Sequence, residues 1–383
     1  MAEVGAKKIR LGMVGGGSGA FIGYVHRIAA RLDGDYELVA GALSSKPDVA
    51  LESGRNLGLA EDRIYASYEE MAAKESKRPD GIQAVSIVTP NHMHVGPARV
   101  FLEAGIHVIC DKPLSNTLED ARALAAVQPK NGAKFLLTHN YTGYPLVRQA
   151  REMVRSGLLG RIRVVQAEYP QDWLTEAASP DNKQAAWRTD PARSGAAGAI
   201  GDVGTHAYNL ARFVTGLAIE AVSADLTSFV AGRQVDDNVH ILLRFGGGAR
   251  GMLWASQVAV GNENGLQLRV YGEEGGLEWR QETPNQMWFT KFGRPKQLLT
   301  RGGSSCCAAA PAMNVRIPSG HPEGYLEAFA TLYSQFAEVI RGKGEAYSSL
   351  LPTLADGVEG MEFIAASIAS SRNDGRWVRL GEV

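Results

Sequence analysis

The first third of the chain alternates two kinds of apolar pattern. Short runs rich in β-branched and aromatic residues, "KIRLGMVG" (8–15), "YELVAGAL" (36–43), "AVSIVT" (84–89), "HVICD" (107–111) and "KFLLTHN" (134–140), read as strands buried on both faces. Helical periodicity fills the gaps at 18–32, 47–57, 67–74, 92–104 and 117–127. Strand and helix alternating at this spacing predict a parallel, doubly wound sheet.

Beyond about residue 145 the rhythm changes. A helix over 145–156 precedes longer strand patterns at 161–170, 221–230, 238–245, 249–258, 266–272 and 276–281, several separated by Gly turns such as "FGGGAR" and "GEEGG". This half is expected to hold a mostly antiparallel, open sheet, with helices over 321–342 and 352–371 ending the chain. The fold class is therefore α/β plus α+β, with a first domain over 1–143 and a second over 144–383.

Composition agrees with two cores, since 383 residues at 45% apolar content exceed one ordinary domain. Forty basic against forty-one acidic residues, with no long run of like charge, argue against nucleic acid or a membrane surface as partner. The start "MAEVGAKKIRLGMVGGG" lacks a signal-peptide pattern, and no run of about 18 apolar residues occurs, so the expected location is the cytoplasm. Cys110 sits in an apolar run, and Cys306 and Cys307 are adjacent in a small-residue stretch. None has a zinc spacing, so a reducing compartment and no metal are expected.

The first strand runs into "GGGSGA", opening a helix. Gly15 permits the tight turn, Gly17 lets a pyrophosphate approach the backbone, and Ala20 is expected to let the helix sit close to the strand. Ser18 and Gly19 complete a loop whose free N–H groups face an anion at the positive end of the helix dipole. The loop predicts a dinucleotide cofactor, NAD or NADP. The second strand ends in Ser44, Ser45 and Lys46 with no acid to read a ribose; hydroxyls plus a lysine suit a 2′-phosphate, and serines also tolerate a plain ribose. Asp33 and Asp35, before that strand, read as solvated turn residues.

"GDVGTHAYNL" (201–210) places Asp202 and His206 four apart, hence on one helical face. Alone, the pair reads first as a helix cap with a core histidine; a metal site is a further option, but no third ligand has an evident spacing. "TPNHMH" (89–94) and "CDKPLS" (110–115) follow the third and fourth strands. Four motifs in this order resemble the Gfo/Idh/MocA family of nicotinamide-dependent oxidoreductases, over essentially the whole chain.

The resemblance implies a Rossmann domain followed by a substrate-binding and oligomerisation domain. Asp111, Lys112 and Pro113 stand where the family has Glu-Lys-Pro, and Asp202 and His206 match its Asp-x-x-x-His. Thr89, Pro90, Asn91, Asp111, Lys112 and Asn140 fall beside the cofactor, and "WRTDP" brings Trp187 and Arg188 towards the nicotinamide. Thr142 replaces a frequent arginine and Asn209 a frequent aspartate.

Oxidising a secondary alcohol removes a hydride from carbon and a proton from oxygen. His206 is the expected proton carrier, Lys112 from the other domain holds the developing alkoxide or shares the proton, and Asp202 fixes substrate or cationic neighbours. The substrate expected is a sugar, cyclic polyol or sugar derivative, met by Tyr169, Asp172 and Trp173 of "EYPQDWLTE" and by His321 with Tyr325. An alternative is cofactor-retaining glycoside cleavage using Lys112, His206 and a tyrosine such as Tyr169; a third is a cofactor-binding regulator without turnover. The resemblance also implies a homodimer or homotetramer through the second sheet, whose outer face would carry Leu242 and Trp254.

Overall fold

The computed structural model describes residues 7–177, 179, 182–303 and 314–383; Cys306 and Cys307 lie outside the described residues. The chain runs β1 (Ile9–Gly15), α1 (Phe21–Leu32), β2 (Tyr36–Ala42), α2 (Pro47–Asn56), α3 (Tyr68–Glu75), β3 (Ala84–Val88), α4 (Val95–Glu103), β4 (His107–Cys110), α5 (Leu118–Ala125) and β5 (Phe135–Leu137). It continues through α6 (Pro145–Arg155), β6 (Ile162–Pro170), α7 (Lys183–Arg188), α8 (Pro191–Ser194), α9 (Thr205–Thr215), β7 (Ile219–Thr227), β8 (Asn238–Phe245) and β9 (Arg250–Ser256). Next come β10 (Gln267–Gly272), β11 (Gly275–Arg280), β12 (Gln286–Lys291), β13 (Gln297–Thr300), α10 (Tyr325–Ile340), α11 (Leu354–Ser371) and β14 (Val378–Arg379).

The first unit is a parallel sheet in the order β2-β1-β3-β4-β5. Every residue of β3 is buried, as a strand covered on both faces requires. The strand order reverses between β1 and β3, so the loops leaving these strands part there and open the crevice where ligands bind in open α/β sheets. The glycine loop and Thr89 to Asn91 leave the two strands on either side of this switch point, and Asp111 to Pro113 follow β4.

A single cut at 143/144 does not describe the chain, because Tyr325–Val358 returns to the first unit. The cause is apolar: Phe329, Tyr333 and Phe336 of α10 share one core with Ile9, Val25, Tyr36 and Ile109. Tyr36 donates its hydroxyl to the Tyr333 carbonyl at 3.0 Å. Asp35 is not solvated; it is buried and receives Arg341 Nη1 at 2.7 Å.

The helical pattern beginning at 18 starts at Phe21, because Gly15, Gly16 and Gly19 take φ of +77°, +72° and +81°. The residue that lets α1 approach β1 is Gly23 rather than Ala20. A Cβ on Gly23 would lie 2.4 Å from Gly16 Cα, whereas Ala20 sits at the N-cap, before the helix begins.

The second unit holds a nine-stranded sheet, β13-β12-β11-β10-β6-β9-β8-β7-β14, antiparallel except where β6 pairs with β9. Its inner face buries Val165, Ala167, Leu243, Leu253, Leu268 and Val270. Its outer face exposes Val164, Leu242, Tyr271 and Trp288, while Trp254 is half-buried. β12 and β13 extend the sheet past the strand patterns read from sequence, and α7 and α8 stand where no helix is predicted. No helix among the described residues is long and apolar enough to cross a membrane, and none of their His, Cys, Asp and Glu side chains form a group suited to a metal.

Candidate functional site

In the first unit the glycine loop is braced by its neighbours. Gly17 N donates to the Leu43 carbonyl at 3.2 Å, and Ser18 N to Ser53 Oγ at 3.0 Å. A Cβ on Gly17 would lie 2.8 Å from that carbonyl, while Gly19 faces open space. Ala20 offers α1 no side-chain cap and the first turn carries no acid, so its orphan amides and positive dipole end suit an anion. These residues fit the pyrophosphate of a nicotinamide dinucleotide. At the tip of β2, Ser44 is half-buried and accepts Lys46 N at 3.1 Å; Ser45 and Lys46 are exposed.

His94 ties two loops together. Fully buried, it sets Nε2 2.8 Å from the Thr89 carbonyl and Nδ1 2.8 Å from the Pro113 carbonyl. Thr89 Oγ1 donates to the Met93 carbonyl at 3.0 Å, Pro90 is half-buried and Asn91 buried. Asp111 Oδ1 accepts Lys112 N and Thr138 Oγ1, each at 3.0 Å, and lies 3.9 Å from His26 Nε2. His26 Nδ1 faces Tyr333 Oη at 2.8 Å and Ser86 Oγ at 3.1 Å. Burial pushes the His26 pKa down to about 4, against the pull of Asp111, so this ring is neutral at physiological pH. Lys112 is half-buried, and Asn140 is buried with its N–H on the Thr138 carbonyl at 2.8 Å.

In the second unit Asp202 lies within a π turn, Ile200–Gly204, that leads into α9 and His206. The carboxylate does not cap α9. Its Oδ2 accepts Arg188 Nε and Gln257 Nε2, each at 2.9 Å. The Arg188 guanidinium stands over the Trp187 ring at 4.3 Å and the Trp173 ring at 5.7 Å. α7 thus delivers Arg188 to Asp202 with Trp187 stacked on the guanidinium, an arrangement that fixes the direction of the carboxylate.

His206 is buried, with the Tyr141 ring edge-on at 4.7 Å and the Tyr169 ring tilted at 6.0 Å. The two tyrosine hydroxyls meet at 2.5 Å, and that of Tyr169 donates to Asn264 Oδ1 at 2.7 Å. Burial raises Tyr141 to about 12, so its phenol stays protonated near neutral pH.

The remaining sequence candidates scatter. Asp172 accepts Gly261 N at 2.9 Å, and Trp173, 40% exposed, donates Nε1 to Gln171 at 3.0 Å. His321 is exposed on the segment before α10, and Tyr325, the first residue of α10, packs edge-on against Phe329 at 5.2 Å in the first unit. Thr142 is buried with its carbonyl accepting Arg148 Nε at 2.8 Å, and Asn209 is buried on α9. Ser53, Gln257, Tyr141 and the bridging use of His94 escape the sequence. Only His94 falls within a stretch singled out in the sequence, "TPNHMH"; Tyr141, Gln257 and Ser53 arrive from segments without such a chemical pattern.

Two family models match the chain. The oxidoreductase family NAD-binding Rossmann fold covers residues 9–139, and the GFO/IDH/MocA C-terminal domain covers 147–278. An oxidoreductase crystal structure from Sinorhizobium meliloti is 56% identical, with a TM-score of 0.88 over 97% of this chain and 100% of that one. An inositol dehydrogenase homolog from Azotobacter vinelandii, solved with NADH and myo-inositol, is 38% identical, with a TM-score of 0.90 over 98% of each chain. Levoglucosan dehydrogenase of Pseudarthrobacter phenanthrenivorans is 30% identical over 73% of this chain and 76% of its own. With a Rossmann sheet leading into the glycine loop and a second unit whose π turn and α9 carry Asp202 and His206, the chain belongs to the GFO/IDH/MocA family of NAD-binding oxidoreductases.

Proposed function

We propose that the protein moves a hydride reversibly between NAD and a secondary hydroxyl of a sugar, cyclic polyol or sugar derivative. The observation that carries this is Asp202, oriented by Arg188 and Gln257 and followed four residues later by buried His206, in a chain akin to one solved with NADH and myo-inositol.

The bound nicotinamide supplies the hydride acceptor or donor. His206 takes the hydroxyl proton as general base and returns it in the reverse direction, its ring held between Tyr141 and Tyr169. Lys112 stabilises the developing alkoxide by charge. Asp202, fixed by its two donors, orients the substrate hydroxyl. The glycine loop and the first turn of α1 hold the pyrophosphate, and Ser44 and Ser45 face the ribose; a tip of this kind admits either nucleotide, and the likeness to a chain solved with NADH favours NAD over NADP. Trp173, the most exposed of the aromatic candidates, offers a face for a sugar ring beside Arg188. Glycoside cleavage would draw on Tyr169, whose hydroxyl is already engaged by Tyr141 and Asn264, so dehydrogenation is the better supported reaction. The enzyme is proposed to work in the cytoplasm as a homodimer or homotetramer.

The test is absorbance of reduced nucleotide with NAD or NADP across inositols, hexoses, uronates and anhydrosugars. Reduction of NAD by at least one polyol or sugar is expected. A protein that binds nucleotide yet reduces neither cofactor on the whole panel would overturn the proposal.

A further inference from the structure

The π turn carrying Asp202 hangs from one buried residue. Asp236, between β7 and β8, accepts Gly198 N on Oδ1 at 2.7 Å and Ile200 N on Oδ2 at 2.8 Å. Its main-chain carbonyl accepts Ala199 N at 2.8 Å. Three successive amides therefore end on a single residue, just where the wide turn begins. The fit has no slack, since a Cβ on Gly198 would lie 2.0 Å from the Asp236 carbonyl. Asp202 N then donates to the Gly198 carbonyl at 3.0 Å, and His206 follows four residues on.

This is a costly way to start a helix. Asp236 is buried, and burial lifts its carboxyl to about 6; the like charge of Asp237 adds to this, while the two amides oppose it. Asp237 is the charged neighbour facing it, and its own carboxylate is engaged by Phe229 N, Val230 N and Arg233. An asparagine would be easier to bury but presents one acceptor oxygen and turns its amide against the second N–H. Only the carboxylate satisfies both amides. π turns embedded at helix starts recur at functional sites because they shift the register of the side chains that follow.

We infer that Asp236 is a positioning residue for Asp202 and His206: its two-oxygen clamp on Gly198 and Ile200 sets the register of the π turn that aims both side chains. The inference rests on the proposed function, because it takes Asp202 and His206 as the working pair. It also gives the site an acid limit. Once protonated, one carboxyl oxygen turns from acceptor to donor and faces an amide N–H, so the turn loosens as pH falls through about 6.

The test compares wild type with Asp236→Asn in turnover, nucleotide affinity and amide exchange. In the variant kcat is expected to fall by about tenfold or more, with KM changed less and nucleotide Kd within about twofold, as for a small misplacement of catalytic groups. In wild type, the protection factors of the Gly198 and Ile200 amides are expected to drop as pH is lowered through about 6. A variant with kcat within about twofold of wild type, or one losing nucleotide affinity as much as turnover, overturns the inference. So does amide protection that stays flat on acidification. If Asp236→Asn fails to fold, the wild-type exchange titration decides alone. A wild type inert on the sugar panel sinks the dehydrogenase reading, and the exchange titration still decides for or against the clamp.

Discussion

Arg188 Nε lies 2.9 Å from Asp202 Oδ2, with its guanidinium 4.3 Å from the centre of the Trp187 ring. Both side chains are largely buried, so the pair keeps its geometry as exposed pairs do not. Arg188→Met removes the cation and the donor together. Its kcat/KM should fall by about 10- to 100-fold with nucleotide affinity unchanged, and Arg188→Lys should fall between, because charge survives while the planar stack is lost. Steady-state kinetics with direct nucleotide titration checks this; wild-type kcat/KM in Arg188→Met would mean that Asp202 needs no partner.

Lys112 and His206 are proposed to serve one proton-transfer step, His206 taking the hydroxyl proton and Lys112 holding the alkoxide that it leaves. Each alanine variant should lose roughly a hundredfold or more in turnover, the usual scale for a general base or an oxyanion donor. The double variant should be little worse than either single one, since groups that act as a unit are not additive. Multiplying losses would assign the two residues to separate steps.

The tip of β2 tests cofactor choice. Ser44→Asp keeps an acceptor beside Lys46 N and adds a charge that binds ribose hydroxyls and repels a 2′-phosphate. The ratio of kcat/KM for NAD over NADP should rise by about tenfold. An unchanged ratio would show that this tip does not read the ribose.

Much of this architecture is legible in the sequence, and the exceptions share a cause. The five parallel strands are mostly apolar because the central ones are covered on both faces, a pattern local enough to read even where Arg10 and Glu37 interrupt β1 and β2. The glycine loop is legible because left-handed φ at Gly15, Gly16 and Gly19 excludes most other residues. Which small residue meets the strand is not, since both Ala20 and Gly23 could, and only packing chooses Gly23. Asp35 looks solvated until α10 brings Arg341 to it from 306 residues away. The four-residue spacing of Asp202 and His206 is visible, but the π turn is not, because the amides that define it are held by Asp236 on a distant segment. β12 does alternate, with Met287 and Phe289 buried, yet it falls in a stretch whose turns hide its start.

Burial of His26 makes stability pH-dependent with a definite sign. Its folded pKa, about 4, lies below the unfolded value of 6.5, so its contribution is complete above about 6.5 and is lost as pH falls towards 4. His139, also near 4 through burial, acts in the same sense. Between about pH 7 and 5, His26 alone should cost on the order of 2 kcal/mol. Denaturant melts of wild type and His26→Gln at the two pH values check this. The variant, less stable at pH 7, should show a shallower loss on acidification; equal slopes would mean that His26 takes up a proton within the fold.

The outer face of the nine-stranded sheet makes the last prediction. Leu242 is 56% exposed on β8, and its cross-strand partner on β9 is Met252, itself half-buried and paired with Gln166 of β6. On the next strand Tyr271 pairs with Val164, both also exposed, so apolar groups occur as cross-strand pairs on four neighbouring strands, with Gln166 and Arg250 between them, instead of standing singly. A face of this kind, rimmed by Arg161, Arg163 and Arg244, has the composition of an interface between subunits. Leu242→Glu places one charge at its centre, where association would have to strip it of water. Wild type should scatter light as a dimer or tetramer at micromolar concentration, and the variant should shift to smaller species with its far-UV spectrum and nucleotide binding intact. A wild-type monomer, or an unchanged mass in Leu242→Glu, would mean that subunits do not meet through this face.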